Sequence, residues 1–367
     1  MPTPLKVLFL TRYPYEGASS RYRVFQYLPH LERLGVACTV QSFMDSQMYE
    51  LSFTPGRTPA KFAATLKAVF SRIWTLRNFR QYDIIYMQRE LLPFGPPVLE
   101  RLMKASGACL MFDYDDALFI KKPSRYSRLA TLMRSPQKAL KLFRLCDCVI
   151  AGNDWLRDKA IDAGGVAVTV DVAEDTDRIR MRPSHTSSDE IVIGWLGSNS
   201  TVKYLRLIEP VLRKISERYP HVRFEIVGGG EFDLPGLPVT HTNWSLDGEL
   251  EALNRFSIGL MPLPLEEWSR GKSGGKARTY MAAGVPAVCT GIGYNLELIK
   301  HGETGFLCTV HSDWERALSE LIEDPGLRQR VAESARREVE ERFSPTKQAT
   351  ALRDVFDQVL ATREGGQ

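Results

Sequence analysis

The sequence predicts an α/β protein built from two Rossmann-like, doubly wound domains with parallel sheets. Three observations carry this expectation. Apolar runs of strand length alternate with stretches of helical periodicity along most of the chain, which is the pattern of βαβ units. Two of those runs, Leu5 to Thr11 and Ile191 to Trp195, each pass into a loop of small residues and then into a helix, the way such a domain opens. The chain has 367 residues, enough for two domains that each bury a core.

Composition narrows the function. The chain is 44% hydrophobic and 25% charged, ordinary for a globular protein. No apolar run reaches the roughly 18 residues of a membrane span, and Lys6 to Leu10 passes straight into a polar loop, unlike a signal peptide, so a cytosolic protein is expected. The six cysteines include one close pair, Cys146 and Cys148, with no second pair or nearby histidine to complete a metal site. Buried thiols and no metal are the expectation. Net charge is +4 and the pI is near 8.6, too mild a balance to imply nucleic acid. Its distribution is uneven. Leu51 to Tyr82 holds Arg57, Lys61, Lys67, Arg72, Arg77 and Arg80 with no acidic residue. Phe119 to Cys146 holds Lys121, Lys122, Arg125, Arg128, Arg134, Lys138, Lys141 and Arg144, again without one.

In chain order, Leu5 to Thr11 reads as a central parallel strand and delivers the loop Arg12 to Arg23, with Gly17, to the ligand end of the sheet. Arg21 and Arg23 follow, either solvated at a helix start or with one of them on a ligand. Phe25 to Leu34 is a helix stopped by Gly35, and Ala37 to Phe43 the second strand. Between Thr58 and Phe79, Phe62, Leu66, Val69, Phe70, Ile73 and Trp74 recur at helical spacing. That stripe either packs on the sheet or lies on an anionic bilayer. Tyr82 to Met87 and Cys109 to Phe112 are strands, and the second leads into Asp113, Asp115 and Asp116, which cap the next helix or do chemistry. Cys148 to Gly152 (strand), Asn153 to Ala163 (helix) and Val166 to Val170 (strand) complete the first domain. The polar run Arg182 to Asp189 is the expected linker, giving domains 1–183 and 184–345 and a final helical segment 346–367.

The second domain repeats the opening. Ile191 to Trp195 leads through Gly197, Ser198 and Thr201 to a helix from Val202, a place for a phosphate. Val222 to Val227 ends in Gly228, Gly229 and Gly230, where backbone can approach a nucleotide. Phe256 to Pro262 is the next strand and delivers the richest stretch, Trp268 to Gly305. There Gly271, Gly274 and Gly275 bare the backbone, Lys272 and Lys276 bring positive charge, and a helix starts at Lys276, so an anion fits. Gly284 stops that helix, Val285 to Thr290 is a strand, and the loop to Asn295 follows, with Glu297 just beyond. His311 to Arg342 and Thr346 to Ala361 are helical.

Lys276, the run Tyr280-Met281-Ala282-Ala283-Gly284-Val285-Pro286, the glycine loop, Glu297-Leu298-Ile299, Gly302 and Thr304-Gly305-Phe306 together resemble the donor-binding half of glycosyltransferase family 4. With Ile191 to Leu205 the likeness covers most of the C-terminal half, and the Ser20 to Arg23 run is similar to the opening of many members. The resemblance implies the GT-B fold, two Rossmann-like domains facing a cleft, with the terminal helix crossing back to the first domain. It implies a retaining, metal-independent hexosyltransferase that takes a nucleotide-diphosphate sugar and a glycan or lipid-linked acceptor. The basic stretches suggest peripheral contact with an anionic inner membrane surface. Carried onto this sequence, donor contacts fall at Gly17, Arg21, Gly197, Ser198, Thr201, Gly228, Gly229, Lys272, Gly274, Lys276, Asn295 and Glu297, and chemistry at Asp115, Asp116 and Lys276.

Three departures stand beside the likeness. The family's two glutamates, separated by seven residues, fall at Gly271 and Thr279; its Pro-Asn-Gly-like turn is replaced by Asp171 to Asp175; and its loop arginine falls at Trp195 or Leu196. A second reading is therefore a non-catalytic GT-B protein that binds nucleotide-sugar or acts as a scaffold. A dehydrogenase ranks third, because the first strand lacks a following Gly-x-Gly-x-x-Gly.

Overall fold

The computed structural model describes residues 3–54, 56–120, 136–183, 190–230 and 232–365. Lys121, Lys122, Arg125, Arg128, Arg134 and most of the expected linker lie outside them. The fold is α/β, in two compact units: residues 1–173 with 345–367, and residues 174–344.

The first unit carries six parallel strands in the order β2-β1-β3-β4-β5-β6. These are β1 (Leu5–Thr11), β2 (Val36–Ser42), β3 (Ile84–Gln88), β4 (Leu110–Tyr114), β5 (Cys148–Ala151) and β6 (Ala167–Thr169). β1, β3, β4 and β5 are almost wholly buried, as unbroken apolar runs between helix layers should be. The last helix, Pro345–Gly365, completes this core: Ala349, Leu352 and Phe356 pack with Phe9 and Tyr86. Among the described residues no helix is long and apolar enough to cross a membrane.

The second unit has six parallel strands in the order β12-β11-β10-β7-β8-β9. They are β7 (Ile191–Leu196), β8 (Val222–Val227), β9 (Val239–Thr242), β10 (Ile258–Met261), β11 (Ala287–Thr290) and β12 (Phe306–Cys308). The chain winds outward from β7 to β9 and then restarts on the other side of β7 with β10. That reversal makes a switch point between β7 and β10, where such sheets bind ligands beyond their carboxyl ends. The two strands pair only at Ile258 with Ile193 and Gly259 with Gly194. Beyond that, the Tyr280 hydroxyl bridges them, accepting from the Leu196 amide at 2.9 Å and donating to the Leu260 carbonyl at 3.2 Å. The sheet therefore opens into a crevice with a buried tyrosine at its root.

Several elements differ from expectation. β9 and β12 are short edge strands; β9, VTHT, is mostly polar and half exposed, and β12, FLC, is too short to stand out as a strand. Helices Ser46–Phe53, Val98–Ala105, Pro136–Leu145 and Leu246–Arg255 were not singled out by sequence. The segment after Thr201 runs as a 3₁₀ helix, Val202–Ile208, before the α-helix Glu209–Arg218. Residues 174–183 fall in the second unit: the Glu174 amide donates to the Phe343 carbonyl at 2.9 Å and the Arg182 amide to that of Ala283 at 3.0 Å. The 311–342 stretch is two helices, broken where Asp324 caps the second at Pro325.

Candidate functional site

At the carboxyl ends of β7, β8 and β10 the second unit assembles most of the expected donor residues. Gly197 follows β7, and its amide donates to the Val227 carbonyl at 3.0 Å, tying the β7 and β8 loops together. A Cβ at Gly197 would stand 2.5 Å from Lys276 Cε, and one at Gly228 would stand 2.3 Å from the Gly197 carbonyl oxygen. Both positions therefore exclude a side chain: two backbone loops and a lysine stem occupy the space.

Lys276 lies in the first turn of the helix Gly275–Ala282, which begins after Gly274 in the left-handed conformation, φ +66°. Its Nζ lies 3.4 Å from Thr201 Oγ1 and 5.2 Å from the centre of the Trp195 ring. Among the described residues no carboxylate pairs with it. Burial, then the nearby charge of Lys272, lowers its pKa from 10.5 to about 8. A desolvated ammonium at a helix N-terminus, with a second cation near, is a place where an anion is stabilised. Lys272 lies over the Trp268 ring, 4.0 Å from its centre. Ser198 and Ser200 share a hydrogen bond at 2.8 Å on the exposed rim.

Other expected donor residues have structural duties. Asn295 is buried and donates to the Thr290 carbonyl at 3.0 Å, fixing the loop after β11. Glu297 is exposed. Trp195, where the family's arginine falls, is buried in the core beside Lys276.

One of the two missing glutamate positions, Thr279, meets an unexpected substitute. Thr279 Oγ1 donates to Glu174 Oε2 at 2.9 Å, and both side chains are buried. The altered loop Asp171 to Asp175 thus delivers a carboxylate to the helix position that lacks one. Sequence reading treated these as separate departures. Their distance of 105 residues in sequence left no local signal that they are partners.

In the first unit the reversal of chain direction lies between β1 and β3, and the loops there are knit by Gln88. Its Oε1 accepts from the Arg12 amide at 3.0 Å and from Ser20 Oγ at 2.8 Å, while its Nε2 donates to Ser19 Oγ at 2.9 Å. Ser19 Oγ in turn donates to Asp115 Oδ2 at 2.7 Å. Arg89, at φ +69°, follows β3. Burial alone would lower its pKa, but the Tyr13 hydroxyl and the carboxylates of Asp115, Glu90 and Asp116 raise it. Asp115 and Asp116 are partly exposed and adjacent to this cation, whereas Asp113 is sealed off. Gln88 and Arg89 were not singled out by sequence.

The two arginines of the opening loop are buried rather than solvated. Arg21 is 1% exposed, and its Nη1 donates to the Tyr15 and Glu16 carbonyls at 3.4 and 3.3 Å. Arg23 is wholly buried; its Nε donates to Asp113 Oδ1 at 3.0 Å, its Nη2 to the same carboxylate and its Nη1 to the Val170 carbonyl. A π-helical turn, Arg21–Phe25, swings both side chains inward, which a regular helix would not do. Gly17 caps the short helix Ala18–Ser20 that leads into this turn, its carbonyl accepting from the Arg21 amide at 3.0 Å.

Residues 190–324 match the family model of the group 1 glycosyl transferases. Ninety residues are 33% identical to the N-acetyl-alpha-D-glucosaminyl L-malate synthase of Bacillus anthracis, a match covering 24% of this chain and 23% of that protein's length. The fold is similar to Anabaena HepE, solved with UDP and glucose, with a TM-score of 0.70 and 19% identity over 96% of this chain and all of that one. It is equally similar to the sucrose-phosphate synthase of Thermosynechococcus elongatus, with a TM-score of 0.70 and 14% identity over 98% and 100% of the two chains. The chain has the GT-B fold, and residues 190–324 of its second unit are similar to the group 1 glycosyl transferases.

Proposed function

We propose that the protein transfers a sugar from a nucleoside-diphosphate sugar to a glycan or lipid-linked acceptor, with retention of anomeric configuration and without a metal. The observation that carries this reading is Lys276, a desolvated ammonium at the β7/β10 switch point, shifted by the charge of Lys272 and paired with no carboxylate among the described residues. Breaking the anomeric bond leaves a diphosphate with added negative charge. Lys276, with the amides at the start of its helix, stabilises that leaving group. The family match over 190–324 and the UDP held by a protein of the same fold support a nucleotide donor. In the first unit, Asp115 orients or deprotonates the acceptor hydroxyl, with Ser19 holding it in place.

Thermal unfolding against UDP, GDP, ADP, CMP and their common sugars, with and without EDTA, tests the donor reading. One base is expected to raise the midpoint by several degrees, independently of EDTA, and the Lys276→Ala variant is expected to lose the shift. No shift with any nucleotide would sink the donor assignment. Asp115→Asn separates an enzyme from a binder that has kept only the fold. It is expected to lower kcat by about a hundredfold while leaving the nucleotide shift intact. Unchanged turnover would remove Asp115 from the chemistry, and no turnover in the parent protein with any donor and acceptor pair would favour the non-catalytic reading.

A further inference from the structure

The helix Thr58–Leu76 is built inside out. Its inward face holds Ala68, Arg72 and Leu76, and the Arg72 guanidinium donates to the Thr11 carbonyl at 2.7 Å from a side chain only 1% exposed. Its outward face holds the larger apolar residues: Phe62, Leu66, Phe70, Ile73 and Trp74 are 65, 55, 66, 45 and 57% exposed. Phe70 and Trp74 stack with ring centres 6.0 Å apart. An amphipathic helix on a sheet normally turns this stripe inward, so five large apolar side chains on one solvent face form a patch that needs a reason.

Charge says what covers it. Arg77 lies over the Trp74 ring, 3.7 Å from its centre; Lys67 is exposed on the flank beside Trp74, sharing Asp45 at 3.0 Å; and Arg57 and Arg80 are exposed beyond the two helix ends. No acidic residue occurs from Leu51 to Tyr82. Two copies docked face to face would set these cations against each other, which disfavours a second copy of the chain. A surface that is apolar at depth and negative at its rim satisfies both the stripe and its border.

We propose that the outward face of the helix Thr58–Leu76 docks on an anionic lipid bilayer. The helix lies in the interface plane with Phe62, Leu66, Phe70, Ile73 and Trp74 among the acyl chains and Lys67, Arg77 and Arg80 at the headgroups. Such a seat holds the first unit at a membrane surface without any spanning segment.

Co-sedimentation of the full chain with vesicles tests this, using phosphatidylcholine alone and phosphatidylcholine mixed with phosphatidylglycerol. Two variants confined to exposed side chains accompany it: Phe70→Ser with Trp74→Ser, and Arg77→Glu with Arg80→Glu. The parent chain is expected to bind the mixed vesicles, to ignore the neutral ones and to release at high salt. Each double variant is expected to lose affinity by about tenfold or more, with its unfolding midpoint and nucleotide shift unchanged. Failure of the parent to bind mixed vesicles overturns the proposal, as does equal binding by the variants. Self-association of the parent that the serine variant abolishes would assign the face to a second copy instead. Retention of the nucleotide shift in both variants keeps this outcome separate from the donor site.

Discussion

Lys276→Ala is expected to lower turnover by about a hundred- to a thousandfold, the usual loss on removing one preorganised group from a developing anion. Among the described residues the side chain meets Thr201 and the Trp195 ring and pairs with no carboxylate, so its removal strands none of them and the fold should survive. Gly197→Ala is expected to act at the same point without touching the charge, because the added methyl stands 2.5 Å from Lys276 Cε and must displace the stem. The pH dependence follows from the lowered pKa. Below about pH 8 Lys276 is protonated before the donor arrives. Above it, binding must first take up a proton, so affinity for the nucleotide falls as pH rises, by up to about tenfold per unit. Lys276→Ala should bind weakly with no such slope. Calorimetric titration across pH 7 to 10 (roughly the range around that pKa) decides this, and a parent profile as flat as the variant's would show that the ammonium does not meet the phosphates.

The second large effect lies in the first unit, on stability. Arg23 and Asp113 are both fully buried and are joined by ion pairing and several hydrogen bonds. Arg23→Met removes the partner and leaves a buried carboxylate with no cation, only the Tyr86 hydroxyl favouring its charge, which costs about 3–5 kcal/mol. Pairing that change with Asp113→Leu is expected to recover much of the loss, since an apolar pair of similar volume avoids the desolvation of two ions. Urea unfolding of the parent, both single variants and the double variant closes the cycle. A single-variant cost below about 1 kcal/mol would mean that the pair behaves like an exposed one and that water reaches it.

The parts legible in sequence are those governed by local rules. β1, β7 and β8 begin where apolar-rich runs begin, because a parallel strand covered on both faces is mostly apolar. The start of the Lys276 helix was marked by its glycines, whereas the meeting of Gly197, Gly228 and Lys276 depends on the strand order. What stayed hidden depends on partners far away in the chain. Nothing in Arg21 or Arg23 shows that a π-helical turn points them inward, nothing in Glu174 that it faces Thr279, and nothing in Gln88 that it binds three loop groups. The stripe from Phe62 to Trp74 was legible as amphipathic, but its orientation was not: periodicity defines a face without saying which way it looks.

The discontinuity of the first unit carries a consequence for how the chain is made. Its sheet is complete by Thr169, yet Ala349, Leu352 and Phe356 seal the face formed by Phe9 and Tyr86. On the ribosome, that apolar face therefore waits uncovered through the synthesis of the entire second unit, at about 5–20 residues per second. The second unit, whose strands and helices run without interruption from 174 to 344, can close first. The complete but uncovered first sheet is the species that a chaperone would meet.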